Sequence, residues 1–318
     1  MSKRILVTGA SGFIGKNIVS YAQTQGFEVL TWKHGTHIKV ENIYGVVYCA
    51  GMAHKMENSS FDALDDYLDA NCHTTIKFAK KALEAGVKKF IYLSTIKVLG
   101  DVRGSASMKI YTEEDTCAPN DSYSQSKYDT EKALYELFSE SKSECIILRP
   151  PMVYGPGNKG NMLTLLKCAS KGIILPLGAV VGKRSMVYVG NISDALIQIL
   201  NENTSHLPNV RSYFINDGLD ITSAELYDHI SQNFYGKSGV FYFPEKVLKI
   251  MAAIGSCFES VTSVKLPINS GVISRLFDAY QISSNKFKRD YNWEPKFSVK
   301  ESLAETVRWY KESSLGKK

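Results

Sequence analysis

The feature that most constrains this chain is a glycine-rich turn placed directly after its first apolar segment. Residues 4–8 have the composition of a short buried strand, and residues 8–15 read TGASGFIG before a helical pattern continues. Glycines three residues apart keep such a turn tight and let the backbone approach a diphosphate, while the following helix supplies N–H donors and the positive end of its dipole. A lone turn of this kind also serves as a plain connector. Its place between a strand and a helix favours a nucleotide site, formed by Gly9, Ser11, Gly12, Phe13, Ile14 and Gly15.

The first half of the chain alternates apolar runs with helical patterns. Apolar runs at 4–8, 27–32, 46–50, 89–94 and 144–149 predict strands, and residues 15–25, 70–85 and 121–139 predict helices. Strands separated by helices of this length form βαβ units and a parallel sheet. The strands lack one-sided alternation of apolar and polar residues, which is typical of a sheet covered on both faces. We therefore expect an α/β fold with a doubly wound parallel sheet.

The pattern changes after residue 149. Glycines break 155–183 into short elements, residues 185–189 predict a strand before a helix at 193–200, and 299–310 predict an amphipathic helix. We expect a dinucleotide-binding domain over 1–155, to which 185–204 and about 276–290 return. Residues 156–184 and 205–275 are expected to form a smaller C-terminal α/β substrate-binding cap. A C-terminal helical segment over 291–318 completes this prediction.

Composition and charge exclude several classes of protein. Hydrophobic residues make up 44% of the chain and charged residues 22%, which is typical of a globular protein rather than a disordered one. There are 38 Lys and Arg against 32 Asp and Glu, a formal charge of +6. These cations are scattered and form no recognition motif, so we expect no nucleic-acid partner. The surplus positive charge fits a phosphate-bearing small molecule.

Targeting and metal signatures are missing from the sequence. No apolar stretch approaches the ~20 residues that span a bilayer, and the N-terminus lacks the apolar core of a signal peptide. We therefore expect no membrane partner. Six cysteines without a C-x-x-C pair indicate reduced thiols of a cytoplasmic protein. Six histidines without metal-ligand spacing indicate no metal site.

The end of the second predicted strand bears on which dinucleotide binds. NAD-binding folds usually place a carboxylate about 20 residues after the glycine turn, where it holds the ribose 2′-hydroxyl. Here the sequence is Trp32-Lys33-His34, and no Asp or Glu follows until Glu41. Lys33 can pair with a 2′-phosphate, so the sequence favours NADP, with NAD as the alternative. Lys33 as a solvated loop lysine is the simpler interpretation.

A second constellation is Tyr123 with Lys127, four residues later on one face of a predicted helix. A nearby ammonium stabilises a phenolate and lowers a pKa that is normally about 10. Tyr123 could then act as an acid–base near neutrality. The spacing alone is weak, since two other pairs share it: Tyr128 with Lys132, and Tyr242 with Lys246. Tyr123 differs from them because it begins its helix after a Pro119-containing loop.

Together these motifs resemble the extended short-chain dehydrogenase/reductases, and within them the nucleotide-sugar epimerase, dehydratase and reductase group. The resemblance rests on the glycine turn, Cys49-Ala50-Gly51, Asn71, Ser94-Thr95, Tyr123-x-x-x-Lys127 and the run from Arg149 to Pro156. It covers the chain from Ile5 to near Trp309. Several segments are similar to bacterial 4-keto sugar nucleotide reductases. The family implies an NAD(P)-binding Rossmann-like fold. One departure is the segment from Lys33 to Val46, which is shorter than the family usually has.

The resemblance also implies roles for individual residues. Thr95 matches the hydroxyl residue of the family's catalytic triad, Tyr123 its acid–base and Lys127 the lysine that contacts the nicotinamide ribose. Further cofactor contacts are implied for Ala50, Gly51, Asn71, Pro150 and Val153. Asn161, Arg184 and Arg275 match positions that hold the diphosphate of a nucleotide-linked sugar, with UDP the expected nucleotide. The helices at 70–85 and 121–139 match the pair through which the family dimerises, so we expect a homodimer.

Two reactions at carbon 4 of a nucleotide-diphosphate sugar remain open. In the first, which the missing carboxylate after the second strand favours, NADPH reduces a 4-keto sugar for surface-polysaccharide precursor synthesis. In the alternative, a UDP-sugar 4-epimerase removes hydride and returns it to the opposite face. A 4,6-dehydratase is disfavoured, because Thr95-Ile96-Lys97 offers no carboxylate beside the triad hydroxyl. A non-catalytic dinucleotide-binding protein would have no need of Tyr123 and Lys127.

Overall fold

The structure is a computed structural model that describes residues 3–37, 39–52, 64–100, 109–262 and 279–315. Its centre is a six-stranded parallel sheet. The strands are β1 (Arg4–Thr8), β2 (Glu28–Trp32), β3 (Gly45–Tyr48), β4 (Lys89–Leu93), β6 (Glu144–Arg149) and β10 (Val210–Phe214). Their order across the sheet is β10-β6-β4-β3-β1-β2. The expected parallel sheet is thus confirmed, and the doubly wound order places the chain reversal between β1 and β3.

Alternate residues of the inner strands enter two separate cores. Ile5 and Val7 of β1 pack with Val47 and Ile91 in one core. Leu6, between them, packs in the other core with Val46, Tyr48 and Phe90. Since side chains of a strand alternate between its faces, both faces of the sheet must be covered by helices. This explains why the strands read as continuous apolar runs.

Helices on both faces supply that cover. They are α1 (Phe13–Thr24), α2 (Leu64–Tyr67), a π-helical turn (Leu68–His73), α3 (Thr74–Glu84), α4 (Ser122–Phe138), α6 (Val189–Asn201) and α9 (Asn285–Tyr291). The predicted helix at 70–85 is therefore interrupted by a π turn. The predicted helix at 193–200 begins at Val189, because Tyr188 already has the extended backbone of an N-cap.

The remaining elements form the cap and its links to the sheet. They are β5 (Ile110–Tyr111), a 3₁₀ turn (Ile96–Leu99), β7 (Met152–Tyr154), α5 (Gly160–Ser170), β8 (Lys183–Arg184), β9 (Met186–Tyr188), β11 (Ile221–Thr222), α7 (Ser223–Tyr235), α8 (Glu245–Thr262), β12 (Gln281–Ile282) and α10 (Val299–Leu315). A third core joins Leu166 of α5, Ile230 of α7, Leu248 of α8 and Leu303 of α10. Within the described residues, no helix is both long and apolar enough to cross a membrane.

One segment lies elsewhere than expected. Residues 205–275 were expected in the cap, but Val210–Phe214 pairs with β6 along the whole strand, from Val210 opposite Cys145 to Phe214 opposite Arg149. The charged Arg211 in this strand is accommodated because it forms an ion pair with Glu144 on β6. Tyr213 packs edge-on against Phe287 of α9. Phe287 belongs to the segment at about 276–290 that was expected to return to the sheet.

Candidate active site

The glycine turn after β1 is built so that side chains are excluded from it. Gly9 has a φ of +65°, in the left-handed region that favours glycine. A Cβ atom on Gly15 would lie 2.2 Å from the carbonyl oxygen of Gly9, and one on Gly12 would lie 3.2 Å from the same oxygen. Gly12 is the N-cap of α1 and offers no capping side chain. The turn therefore presents backbone and the helix N-terminus, which is the donor set that a diphosphate requires.

Ser11, Phe13 and Ile14 complete this turn. Ser11 is exposed in it, and Phe13 and Ile14 form the first turn of α1 and are partly buried. A Cβ on Gly157 would lie 3.4 Å from the Phe13 ring, so the loop after β7 closes over the start of α1. All six residues predicted for the turn are therefore contiguous in space.

The ends of β1 and β3 are joined by a threonine that the sequence reasoning did not assign. The Thr8 hydroxyl accepts hydrogen bonds from the backbone N–H groups of Cys49 and Ala50, at 3.1 and 3.0 Å. This places Ala50 and Gly51 beside the glycine turn, at the carboxyl edge of the sheet. In open α/β sheets ligands bind at this edge, where the strand order reverses. The threonine stood inside the quoted motif, but its role depends on a strand 41 residues away.

Asn71 lies in the π turn and holds the segment that follows Gly51. Its side-chain oxygen accepts from the Met52 N–H at 2.7 Å, and its amide nitrogen donates to the Met52 carbonyl at 3.2 Å and to the Ser126 hydroxyl at 3.0 Å. A Cβ on Gly51 would lie 2.8 Å from the Asn71 oxygen. Asn71 thus connects the cofactor side of the site to α4. Ser126 is a second contributor that the sequence reasoning missed.

Tyr123 lies in the first turn of α4. Asp121 caps this helix, since its carboxylate accepts from the Ser124 N–H at 2.6 Å and the Ser124 hydroxyl faces the N-cap N–H in return. The Thr95 side chain lies close enough to Tyr123 to lower the pKa of its phenol. Thr95 itself follows β4 and caps the 3₁₀ turn by accepting from the Lys97 N–H at 3.3 Å. The predicted pair of Thr95 and Tyr123 is thus brought together. Ser94, its neighbour, is buried.

Lys127 lies one turn further along α4 and is buried. Its ammonium donates to the Leu93 carbonyl at 2.8 Å and lies 4.6 Å from the centre of the Tyr92 ring. A Cβ on Gly51 would lie 3.5 Å from the same nitrogen. Burial lowers the pKa of Lys127 to about 8. The ammonium is therefore held at the end of β4, close to the segment after β3.

The expected effect of Lys127 on Tyr123 is absent from this structure. Burial, and then the charge of Asp121, raise the pKa of Tyr123 to about 12, while the hydrogen bond from Thr95 lowers it. The prediction of a lowered pKa is wrong for the protein without cofactor, because the Lys127 ammonium is bonded to Leu93 instead. With its ammonium bonded to Leu93, Lys127 does not offset the cost of burying a phenolate at Tyr123.

The loop after β6 contributes the other predicted cofactor residues. The Pro150 carbonyl accepts from the Ile96 N–H at 3.1 Å, which fixes this loop against the turn that carries Thr95. Val153 lies in β7, and its carbonyl accepts from the Asn158 side chain at 2.7 Å. Both residues therefore lie on the same edge of the sheet as the Tyr123 pair.

Lys33 and the predicted substrate residues are more peripheral. Lys33 is exposed and begins a turn in which its carbonyl accepts from the Thr36 N–H and hydroxyl. Asn161 is exposed at the start of α5. Arg184 is half-buried in β8, opposite Ile221 of β11 and bridged to Tyr280. Arg275 lies outside the described residues.

The site can now be compared with known proteins. A family model described as the NAD dependent epimerase/dehydratase family matches residues 5–211. A UDP-glucose 4-epimerase from Vibrio cholerae is 30% identical over 332 aligned residues, covering 97% of this chain and 95% of the relative.

Two further relatives are more distant. An N-acetyl-alpha-D-glucosaminyl-diphospho-ditrans,octacis-undecaprenol 4-epimerase from Escherichia coli O157:H7 is 25% identical, covering 92% of both chains. The solved structure of MoeE5 with UDP-glucuronic acid and NAD superimposes with a TM-score of 0.72 at 18% identity, covering 98% of this chain and 99% of that one. This structural likeness shows a shared Rossmann-type fold.

Proposed function

The chain belongs to the NAD-dependent epimerase/dehydratase family of enzymes, and we propose that it is a 4-epimerase of a nucleotide-diphosphate sugar, with UDP as the nucleotide. The observation that carries this proposal is the position of the Lys127 ammonium, bonded to Leu93 at the end of β4 and 3.5 Å from where a Cβ on Gly51 would lie, on the helix that also carries Tyr123. Two 4-epimerases among the relatives support epimerisation over reduction. The sequence alone favours reduction, whereas the two 4-epimerases among the relatives favour epimerisation.

The residues present fit a dinucleotide. Gly9 and Gly15 let the turn pack closely on neighbouring backbone, and α1 presents its N-terminus beside it, which is the donor set for a diphosphate. Ala50, Gly51 and Asn71 extend the same surface towards Lys127. When bound, the nicotinamide would supply the acceptor and donor of hydride for carbon 4 of the sugar.

The side chains of the chain would then handle the proton and the oxygen. The Tyr123 phenol oxygen would take the proton of the sugar 4-hydroxyl as the ketone forms, and return it when the alcohol re-forms on the opposite face. The Thr95 hydroxyl would hydrogen-bond the same sugar oxygen. Lys127 would contact the cofactor ribose, and Arg184 with Asn161 and Arg275 would bind the diphosphate. The net reaction inverts one carbon and consumes no reductant.

The co-purifying dinucleotide tests this proposal. An epimerase regenerates its cofactor in each turnover, so we expect denatured protein to release a dinucleotide and fresh protein to epimerise UDP-glucose or UDP-N-acetylglucosamine without added cofactor. Chromatography of the released nucleotide and of the sugar products measures both. Turnover that depends strictly on added reduced cofactor would contradict epimerisation.

Reduction of a 4-keto nucleotide sugar by NADPH is the second candidate. It is supported by Lys33, which is exposed directly after β2, and by the lack of a carboxylate near it in sequence. Titration of the cofactor-free protein with NADPH and NADH tests this candidate. Tighter binding of NADPH, lost in Lys33→Ala, would favour it, whereas equal or tighter binding of NADH would exclude a contact of Lys33 with a 2′-phosphate.

We also propose a cytoplasmic homodimer that uses the faces of α3 and α4. Tyr135 on α4 is 61% exposed, and a dimer through this face would bury it. Light scattering of the purified protein measures the mass directly. A monomer of 35.4 kDa would contradict this proposal.

A further inference from the structure

The described part of the cap carries a cluster of exposed apolar side chains. Nine of the large hydrophobic residues that the structure leaves exposed lie between residues 173 and 250, and six of them, with exposed fractions of 41–73%, form this cluster. We call them the cap face: Ile173, Ile174, Phe241, Tyr242, Val247 and Ile250. Single exposed apolar residues are ordinary on protein surfaces, but a contiguous group marks an interaction site.

Backbone hydrogen bonds bring the two loop segments of the cap face together, and Val247 and Ile250 follow on the helix after the second segment. The Leu175 N–H donates to the Gly239 carbonyl at 2.8 Å, and the Phe241 N–H donates to the Leu175 carbonyl at 3.1 Å. The Gly178 N–H also donates to the Phe241 carbonyl, at 3.0 Å. The segment after α5 therefore lies alongside the segment before α8. The Tyr235 hydroxyl joins the end of α7 to the end of α5 by donating to the Ser170 carbonyl at 2.5 Å.

Helix α8 is apolar on two opposite sides. Leu248 and Ala252 are buried against the rest of the cap. Val247 and Ile250 lie on the outer side, with Lys246 and Lys249 among them. A helix that faces water on its outer side usually carries polar residues there. The apolar residues on the outer side of α8 indicate that something other than water covers it.

The charge around the cap face is positive. From Cys145 to Ser193 the chain has six Lys and Arg and no Asp or Glu. Lys167 and Lys171 of this stretch are exposed at the end of α5, next to Ile173. Lys237 and Lys246 are exposed on either side of Phe241 and Tyr242.

The acidic groups near the cap face are bonded. Glu245 pairs with Lys249 at 2.6 Å. Asp228 accepts from the side chains of Gln232, at 2.6 Å, and Ser238, at 2.5 Å. A hydrogen bond does not cancel the charge of a carboxylate, but the exposed lysines, Lys167, Lys171, Lys237, Lys246 and Lys249, outnumber these two acids, so the net charge of the cap face is positive.

We propose that the cap face lies against the surface of a membrane that contains anionic lipids. Apolar side chains enter the boundary between headgroups and acyl chains, while the surrounding lysines contact the anionic headgroups. Such a contact needs no membrane-spanning segment, and it departs from our expectation that the protein has no membrane partner. Val181 and Leu219, also exposed, flank the β8–β11 pair that carries Arg184 and are not part of this face.

Co-sedimentation with lipid vesicles tests the proposal without any turnover, so it is independent of the proposed reaction. We expect the full chain to bind vesicles of phosphatidylglycerol and phosphatidylcholine in equal parts, and to bind phosphatidylcholine alone weakly. Raising the salt concentration from 0.1 to 0.5 M shortens the range of the electrostatic attraction and should release much of the protein. No binding to the anionic vesicles, or equal binding to both vesicle types, would overturn the proposal.

Variants of exposed residues locate the contact. Tyr242→Ser combined with Ile250→Ser should lower the partition coefficient about tenfold or more, because two apolar side chains no longer leave water. Lys246→Glu should lower it by more than the roughly fivefold that one lysine contributes at an anionic surface. The controls are Leu30→Ser on β2 and Lys142→Glu just before β6, both exposed and outside the cap. Circular dichroism confirms that each variant is folded.

The mass of the double variant tests the alternative that a second copy of the chain covers the cap face. If a second copy of the chain covers it, light scattering would show an oligomer for the unchanged protein and a smaller species for Tyr242→Ser with Ile250→Ser. That result, or equal vesicle binding by the face variants and the controls, would overturn the proposal.

Discussion

Tyr123 and Lys127 are one helical turn apart, yet their side chains have different neighbours. Tyr123 contacts Thr95, and Lys127 donates to the backbone of β4. The buried phenol keeps its proton in the cofactor-free protein, since its pKa is about 12. Acid–base work near neutrality therefore requires added positive charge, which an oxidised nicotinamide carries.

Removal of the Tyr123 hydroxyl should separate catalysis from binding. We expect Tyr123→Phe to lower turnover by a factor on the order of 10²–10⁴, because only the proton-transfer group is lost. Dinucleotide affinity, measured by fluorescence titration, should stay nearly unchanged.

The matched control is Tyr128→Phe. Tyr128 forms a pair with Lys132 at the same spacing, with the ammonium 5.0 Å from its ring centre, but lies outside the site. Its loss should leave turnover unchanged. Near-full activity of Tyr123→Phe would remove this residue from the mechanism.

Replacement of Lys127 should stabilise the protein. Burial lowers the Lys127 pKa from 10.5 to about 8, so the folded protein below pH 8 holds a charge that it disfavours. This difference corresponds to about 3 kcal/mol, and loss of the hydrogen bond to Leu93 offsets about 1 kcal/mol of it. Lys127→Met should therefore raise the free energy of unfolding by about 1–2 kcal/mol at pH 7, while turnover is lost.

The gain in unfolding free energy from Lys127→Met should depend on pH. Between pH 8 and 10.5 the unfolded chain binds more protons at Lys127 than the folded chain, so the unchanged protein gains stability as pH rises. The advantage of Lys127→Met should shrink across this window, as measured by urea denaturation at pH 7 and pH 10. A variant that is less stable at pH 7 would show that burial of the ammonium is not the dominant cost.

At the scale of elements, α4 is fixed to the sheet by a buried ion pair. Arg149, at the end of β6, donates to the Glu131 carboxylate with two nitrogens, at 2.6 and 3.1 Å, and both residues are buried. This pair holds the helix that carries Tyr123 and Lys127 in register with the strand that leads into Pro150. Its geometry is that of a bidentate contact, which fixes orientation as well as distance.

Removal of one partner of the Arg149–Glu131 ion pair should lower the free energy of unfolding. Glu131→Gln leaves the guanidinium buried without a counter-charge, which costs about 3–5 kcal/mol of unfolding free energy. The control is Asp129→Asn, on the same helix, which breaks the more exposed pair with Lys132 at 2.7 Å and should cost less than about 1 kcal/mol. Urea denaturation measures both variants. Equal costs would mean that the buried pair does not fix the helix.

The sequence predicted most of these elements and missed others for identifiable reasons. The strands ending at Thr8, Trp32 and Arg149 were predicted to their last residue, because continuous apolar runs bounded by turn residues specify buried strands. The π turn around Asn71 was missed. Its carbonyl accepts from Thr75 and, at 3.4 Å, from Thr130 of α4, a contact between residues 59 positions apart that no local pattern contains.

The residues of the site can likewise be divided into those that the sequence predicted and those that it missed. Thr95, Tyr123 and Lys127 were predicted because the family motif quotes them, and the structure places them at one edge of the sheet. The pKa of Tyr123 could not be predicted, because it depends on how deeply the phenol is buried and on the charge of Asp121. Thr8 and Ser126 were missed, since each acts through a hydrogen bond to a distant segment.

At the scale of the whole molecule, the residues proposed to bind the substrate come from both the sheet edge and the cap. Tyr123 and Thr95 lie on the sheet side, and Arg184 lies in β8, which pairs with β11. Arg184→Ala should raise the substrate KM about 10–150-fold, because a charge-assisted hydrogen bond to a phosphate is lost. Arg184→Lys should recover only part of this, because an ammonium lacks the fork of the guanidinium. Initial-rate kinetics measure both, and an unchanged KM would place the diphosphate elsewhere.

The fate of the hydrogen at carbon 4 tests the central claim most directly. The protein is incubated with UDP-glucose deuterated at that carbon, without added cofactor, and the products are analysed by mass spectrometry and nuclear magnetic resonance. Epimerisation by removal and return of one hydride predicts UDP-galactose that retains the deuterium at carbon 4, with none formed by Tyr123→Phe. UDP-N-acetylglucosamine deuterated at carbon 4 serves as the second substrate. If neither sugar is converted to its 4-epimer, the account is wrong. An epimer in which solvent hydrogen has replaced the deuterium would also contradict it.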